Sequence, residues 1–264
     1  MERLAHTIRH APPFRRADRV WNAVRPAYEA SLRVLFGRRG VRRVVNGSEG
    51  MRLDPACRSV PTEYEPHVWS ELLSSVRPGD VVADVGANVG LYAVALARRV
   101  GPTGRVIAYE PDAGNAKVLR RNLALNDVDD VVEVREAAVG AERGEMPFLS
   151  DRQQSRFDPE GPSQVSVVTL DEELDRLALL KIDVEGFECA VLDGARSLLA
   201  DESRRPRRVF VEAHLVRLPE LGHREDEVTR ALERAGYRVT KLSFDGLLTR
   251  NYVADAPRLD RLRV

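Results

Sequence analysis

Three short stretches hold residues able to do chemistry together. VVADVGANVG, residues 81–90, ends an apolar run at Asp84 and Val85 and then turns through Gly86, Asn88 and Gly90. Glu110 follows twenty positions after the last glycine, in IAYEPD, with Pro111 next to it. LLKIDVEG and VFVEAH add Lys181, Asp183 and Glu185, then Glu212 and His214. A carboxylate at a strand end can accept hydrogen bonds from both hydroxyls of a ribose, which is the work expected of Glu110. Asp84 beside a pyrophosphate would cost Coulomb energy, whereas it suits an ammonium group. A dinucleotide also wants GxGxxG at such a turn, and GANVG offers two glycines four apart.

The ligand that matches acids at two neighbouring strand ends is a cationic nucleoside with an amino-acid tail, and S-adenosylmethionine is such a molecule. Side chains alternate along a strand, so Lys181 and Asp183 share a face near the place where a methyl group would leave. A hydroxyl acceptor needs its proton removed. Asp183 is the first candidate base and His214 the second, with Lys181 beside them. Glycine is expected at 86 and 90 because a side chain there would push a ligand off the backbone.

The elements that must position these residues alternate strand with helix. Apolar strands are expected at 81–85, 105–110, 131–135, 179–183 and 208–212. Amphipathic helices are expected at about 89–100, 113–126, 186–200 and 224–235, after a first helix at about 62–76. That alternation predicts a parallel sheet covered on both faces. VRRVVNGSEGMRLD, residues 41–54, reads as a hairpin around Asn46-Gly47. GYRVTKLSFDGLLTRNYVA reads as a closing antiparallel pair. Between 140 and 170, EMPFLS and QVSVVTL predict an extra strand pair, joined by a polar loop whose Gln153, Gln154, Ser155 and Arg156 could form a lid. Tyr64 and Glu65 could cap the pocket.

VVADVGANVGLYAVALA, GRVIAYEPDAGNAKVLRRNLALN, LLKIDVEGFECAVLDGA and VFVEAH together resemble the FkbM family of S-adenosylmethionine-dependent methyltransferases, from about residue 60 to 240. The resemblance implies an α/β Rossmann-like class I methyltransferase fold, a doubly wound and mostly parallel sheet with an antiparallel last strand. It implies O-methylation of a hydroxyl on a sugar, lipid or secondary metabolite. Carried over by motif, it puts the cofactor against Asp84, Gly86, Asn88, Gly90, Glu110 and Pro111, with adenine near Glu136 and Ala137. Two other readings stay open on the residues: a nicotinamide-dependent dehydrogenase, and a protein that binds S-adenosylmethionine without catalysis. A nucleic-acid methyltransferase would want Asn/Asp-Pro-Pro-aromatic where this chain reads DVEG, so the expected acceptor is a small molecule or glycan.

Composition bounds the rest. The 264 residues, 43% of them hydrophobic, suffice for one main domain at 61–264, with a segment at 1–60 made of basic helices and the hairpin. Residues 1–43 carry eleven arginines against Glu2, Asp18 and Glu29, a local charge of +8 in a neutral chain. Such a segment suits a solvated helix or weak contact with an anionic membrane surface. It lacks the interleaved aromatics of a nucleic-acid platform. No run of 18 apolar residues predicts a transmembrane helix. The start lacks a secretory h-region. Cys57 and Cys189 have no CxxC partner, so a cytoplasmic protein with reduced thiols is expected, and no metal is assigned to the site.

Overall fold

The computed structural model describes residues 39–57, 60–150, 155–245 and 248–257. The expected N-terminal helices, together with Gln153 and Gln154 of the lid, lie outside them. A seven-stranded sheet forms the centre. Its strands are β3 (Val81–Val85), β4 (Arg105–Tyr109), β5 (Val132–Arg135), β10 (Leu179–Ile182), β11 (Arg208–His214), β12 (Arg238–Asp245) and β13 (Thr249–Asp255), in the order β12-β13-β11-β10-β3-β4-β5. The pairs from β5 to β11 are parallel, and β13 runs antiparallel to both β11 and β12. The parallel sheet and its antiparallel last strand are as expected.

The strands read as they do because both faces are covered. All four residues of β10 are buried, as are four of the five in β3. One face carries α1 (Pro66–Ser75), α2 (Leu91–Val100) and α3 (Ala113–Leu125), packed through Trp69, Leu72, Leu96 and Leu119. The other carries α4 (Leu170–Glu173), α5 (Glu188–Asp193), α6 (Arg196–Ala200) and α8 (Glu225–Arg234), packed through Leu170, Val191, Leu198 and Leu232. A short helix, α7 (Arg217–Glu220), follows β11.

The single helix expected over 186–200 is two. Gly186 and Glu185 have φ of 102° and 51°, so helical backbone begins only at Glu188. After α5 the chain breaks at Gly194, where a Cβ would stand 1.9 Å from the Gly140 carbonyl oxygen. The carboxylate of Asp171 then accepts the Ser197 and Leu198 amides at 2.9 and 2.7 Å and caps α6 from outside the segment. No local periodicity reports a cap supplied by a residue 26 positions away.

The hairpin is β1 (Val41–Val45) and β2 (Glu49–Leu53). Val45, Met51 and Leu53 enter the same core as α1 and α2, so the boundary expected at residue 60 runs through one packing unit. The insertion is a four-stranded sheet of β6 (Ala138–Val139), β7 (Gly144–Leu149), β8 (Arg156–Phe157) and β9 (Ser163–Val168), in the order β6-β9-β7-β8. It contains the expected strand pair, β7 with β9, which runs antiparallel, and packs through Met146 and Phe148. Among the described residues, no helix is long and apolar enough to cross a membrane.

Candidate active site

From β3 the chain winds one way to β4 and β5 and later returns to place β10 on the other side of β3, so the strand order switches between β3 and β10. Ligands of open α/β sheets bind beyond the carboxyl ends at such a switch. A cavity of about 1270 Å³ lies there. Gly86, Asn88, Glu110, Pro111, Ala137, Lys181, Asp183 and His214 of the predicted set line it, while Asp84, Gly90 and Glu136 do not.

The glycine turn is built by contacts within the chain. The amides of Gly86 and Ala87 both donate to the Tyr109 carbonyl at 3.0 Å, tying the end of β3 to the end of β4. Gly86 has φ of 82°, and a Cβ on it would stand 1.7 Å from the Asp183 carbonyl oxygen. At Gly90, with φ of 87°, a Cβ would stand 2.2 Å from Leu119 Cδ1. The close approach of the β10–α5 loop and of α3 therefore demands glycine at both places by itself.

Glu110 ends β4 with 4% of its surface exposed. One carboxylate oxygen accepts the Asn88 amide at 2.8 Å and the other the Asp112 amide at 2.9 Å. Burial pushes its carboxyl up to about 7, against the pull of the Asp112 and Asn88 amides. Asn88 sits at φ of 48°, and its side-chain oxygen is buried without a hydrogen-bond partner. Asp112 caps α3 by accepting the Asn115 amide at 2.8 Å, and Asn115 also lines the cavity. Glu136 instead turns outward, exposed, and pairs with Arg120.

Asp84 is fully buried behind the cavity wall, with Lys181 Nζ 3.5 Å from its carboxylate. Lys181 also reaches Asp183 at 3.2 Å and stands 4.7 Å over the centre of the Tyr92 ring. Burial opposes the lysine's charge, yet the carboxylates of Asp183, Asp84, Glu65 and Glu212 outweigh it and raise its pKa. One oxygen each from Glu65, Asp183 and Glu212 lies within 4.8 Å of the others, an arrangement able to hold a cation. Lys181 already supplies positive charge to that cluster.

His214, at the end of β11, turns Nδ1 to Glu188 Oε1 at 2.6 Å and Nε2 toward Glu185 at 3.5 Å and Asp183 at 3.9 Å. Burial lowers its pKa, but the Glu188 hydrogen bond and the charges of Asp183, Glu188 and Glu185 prevail and push it up to about 10. The carboxylates that raise it also hold its proton in place, which weighs against His214 as the base. Glu188 and Tyr92 escaped the sequence reading. Glu188 looks like an ordinary first-turn acid, and only its separation of 26 residues from His214, closed by the sheet, reveals the pair.

Three pairs of residues wall the cavity. Tyr64 and Glu65 line it as expected; Glu65 starts α1 and accepts the Tyr92 hydroxyl at 2.8 Å. Ser155 and Arg156 also line it, with Ser155 Oγ donating to Asp112 at 3.3 Å. Phe157 of β8 meets Phe187 with ring centres 5.5 Å apart, a wall the sequence reading did not foresee.

Comparison with known proteins adds a family. The domain described as methyltransferase FkbM domain matches residues 84–239. The methyltransferase sdnD of Sordaria araneosa is 27% identical over 163 residues, covering 46% of this chain and 62% of that protein. The ribosomal protein L11 methyltransferase of Chloroflexus aurantiacus is 36% identical over 87 residues, covering 33% of this chain and 25% of that one. The chain thus spans less than two thirds of the length of either curated relative. A solved S-adenosylmethionine-dependent O-methyltransferase of Thermotoga maritima superposes with a TM-score of 0.47 at 17% identity, covering 73% of this chain and 66% of that one, a likeness too slight to carry an argument.

Proposed function

The chain belongs to the FkbM methyltransferase domain family, and from that premise we propose that it transfers a methyl group from S-adenosylmethionine to a hydroxyl of a sugar, lipid or secondary metabolite. The observation that carries the reading is Glu110. A carboxylate almost wholly withdrawn from water, fixed by two amides at the tip of β4, faces the cavity at the strand switch. Each oxygen keeps a lone pair for a ribose hydroxyl. The unpartnered side-chain oxygen of Asn88 suits a further donor, such as the ammonium of the amino-acid tail. Pro111 and Ala137 would flank the base, and Asp183 would stand beside the sulfonium.

When bound, the donor supplies an electrophilic methyl group. This chain's residues align the acceptor with it and keep water out. Alignment can contribute at most roughly 7–11 kcal/mol. Phe157 and Phe187 offer an apolar wall to the acceptor, and the carboxylates at the tips of β10 and β11 face its hydroxyl. A small-molecule or glycan acceptor in a cytoplasmic setting, with Cys57 and Cys189 both reduced, completes the reading. Titration calorimetry with S-adenosylhomocysteine tests the first half, and NADH serves as the rival ligand. Mass spectrometry of source-cell extracts incubated with donor and protein tests the second, the expected result being products heavier by one methyl. Binding of NADH in place of S-adenosylhomocysteine would overturn the proposal.

A further inference from the structure

We propose that Glu212, rather than Asp183 or His214, accepts the proton of the acceptor hydroxyl; the assignment rests on reading the cavity as a methyl-transfer site. Ile182 and Val211 are register partners on β10 and β11, so Asp183 and Glu212 follow one another's strands at the same level. Both line the cavity, as do Glu65 and Glu185. The four carboxylates differ in what already holds them. Glu65 accepts the Tyr92 hydroxyl. Asp183 is engaged by Lys181 at 3.2 Å and faces His214. Glu185 faces the His214 ring at 3.5 Å. Among the described residues, Glu212 has no hydrogen bond and no ion pair, so its lone pairs are available to a substrate.

A proton placed on Asp183 would cancel the charge that Lys181 and His214 are arranged around. One placed on Glu212 relieves repulsion, because Asp183 and Glu65 crowd it. Burial, then the charges of Asp183 and Glu65, push the Glu212 carboxyl up to about 8 against the pull of His214 and Lys181. Glu212 acts as the base in its ionised form, whose share grows as pH rises through about 8, so transfer should quicken over that interval. As the hydroxyl oxygen bonds to the methyl carbon, the carbon–sulfur pair stays on sulfur and the proton passes to Glu212. One positive and one negative charge disappear together.

Glu212→Gln keeps the shape and removes the base. It should bind S-adenosylhomocysteine as wild type does, while transfer of tritiated methyl from S-adenosylmethionine into source-cell metabolite extract falls by about 10²–10⁴-fold. In the protein without ligand, a carboxyl infrared band titrating near pH 8 should be present in wild type and missing from Glu212→Gln. Wild-type transfer retained in Glu212→Gln, or a carboxyl band unchanged by the substitution, overturns the assignment alone. Wild type that methylates nothing in any extract overturns the functional reading and the base with it.

Discussion

Glu188 Oε1 lies 2.6 Å from His214 Nδ1 and also accepts the Gly186 amide at 2.9 Å, although Glu188 is wholly buried. One carboxylate therefore joins the end of β11 to the loop after β10 and presents the imidazole's other nitrogen to Asp183 and Glu185. Removing its charge takes the shortest of three carboxylate contacts from a buried cation, so Glu188→Gln should destabilise the fold at neutral pH by at most roughly 3–5 kcal/mol. The pH dependence has a definite sign. His214 binds its proton more tightly folded than unfolded, so its contribution is complete below about 6.5 and fades as pH rises through about 10. The gap between wild type and Glu188→Gln in urea melts should accordingly shrink over that interval. A gap that widens with pH would show that the ring is neutral in the fold.

Glu110 titrates in the same sense, at lower pH. Its carboxyl is raised to about 7, so the folded protein without ligand loses stability as pH rises from the ordinary value of 4.5 to 7. Ribose hydroxyls donate, and they prefer the ionised carboxylate. Affinity for S-adenosylhomocysteine should therefore rise with pH through 7 and level off above it. Glu110→Ala should weaken binding by roughly 1.5–3 kcal/mol, the range for hydrogen bonds to a charged group, and flatten that pH dependence. Calorimetry at pH 6 and pH 8 on both proteins is the check.

Legibility followed the range of the physics. Strand ends and the residues on them could be read, because burial on both faces writes apolar runs such as VVA before Asp84 and VIAY before Glu110, and the acid after each run stands out. Lys181 and Asp183 were placed on one face by alternation alone, and their contact bears this out. What could not be read depends on which side chain meets which across strands. Asp84 was matched to an ammonium group, and a strand pattern cannot show that the ammonium of Lys181, next door on β10, stands beside it. Gly86 and Gly90 were expected to be glycine for a ligand's sake. The same two residues are required for chain packing, and one sequence offers no way to separate these demands.

Gly86→Ala puts the packing explanation at risk. A methyl group there would collide with the Asp183 carbonyl oxygen, and the backbone would be held at φ of 82° with a Cβ present. The left-handed strain alone costs of order 1–3 kcal/mol. Gly47→Ala carries a similar φ of 70° with nothing within 4 Å of the added carbon. Urea midpoints should fall further for Gly86→Ala than for Gly47→Ala, the difference reporting the collision. Equal losses would mean that β3 and the β10 loop can part without cost.

Lys181 and Asp84 supply the last test, because burial makes their charges interdependent. Asp84 is raised by burial, and Lys181 is the main influence lowering it again. Lys181→Met would leave Asp84 at 0% exposure without its cation, beside an Asp183 that has lost the same partner. Breaking a buried pair from one side costs about 3–5 kcal/mol. Replacing both members, as Asp84→Asn with Lys181→Met, removes the stranded charge and should cost less than Lys181→Met alone. A double-mutant cycle in denaturant measures the coupling directly. If the two substitutions simply add, the lysine is held by Asp183 and the Tyr92 ring, and Asp84 is a carboxyl that stays protonated within the strand.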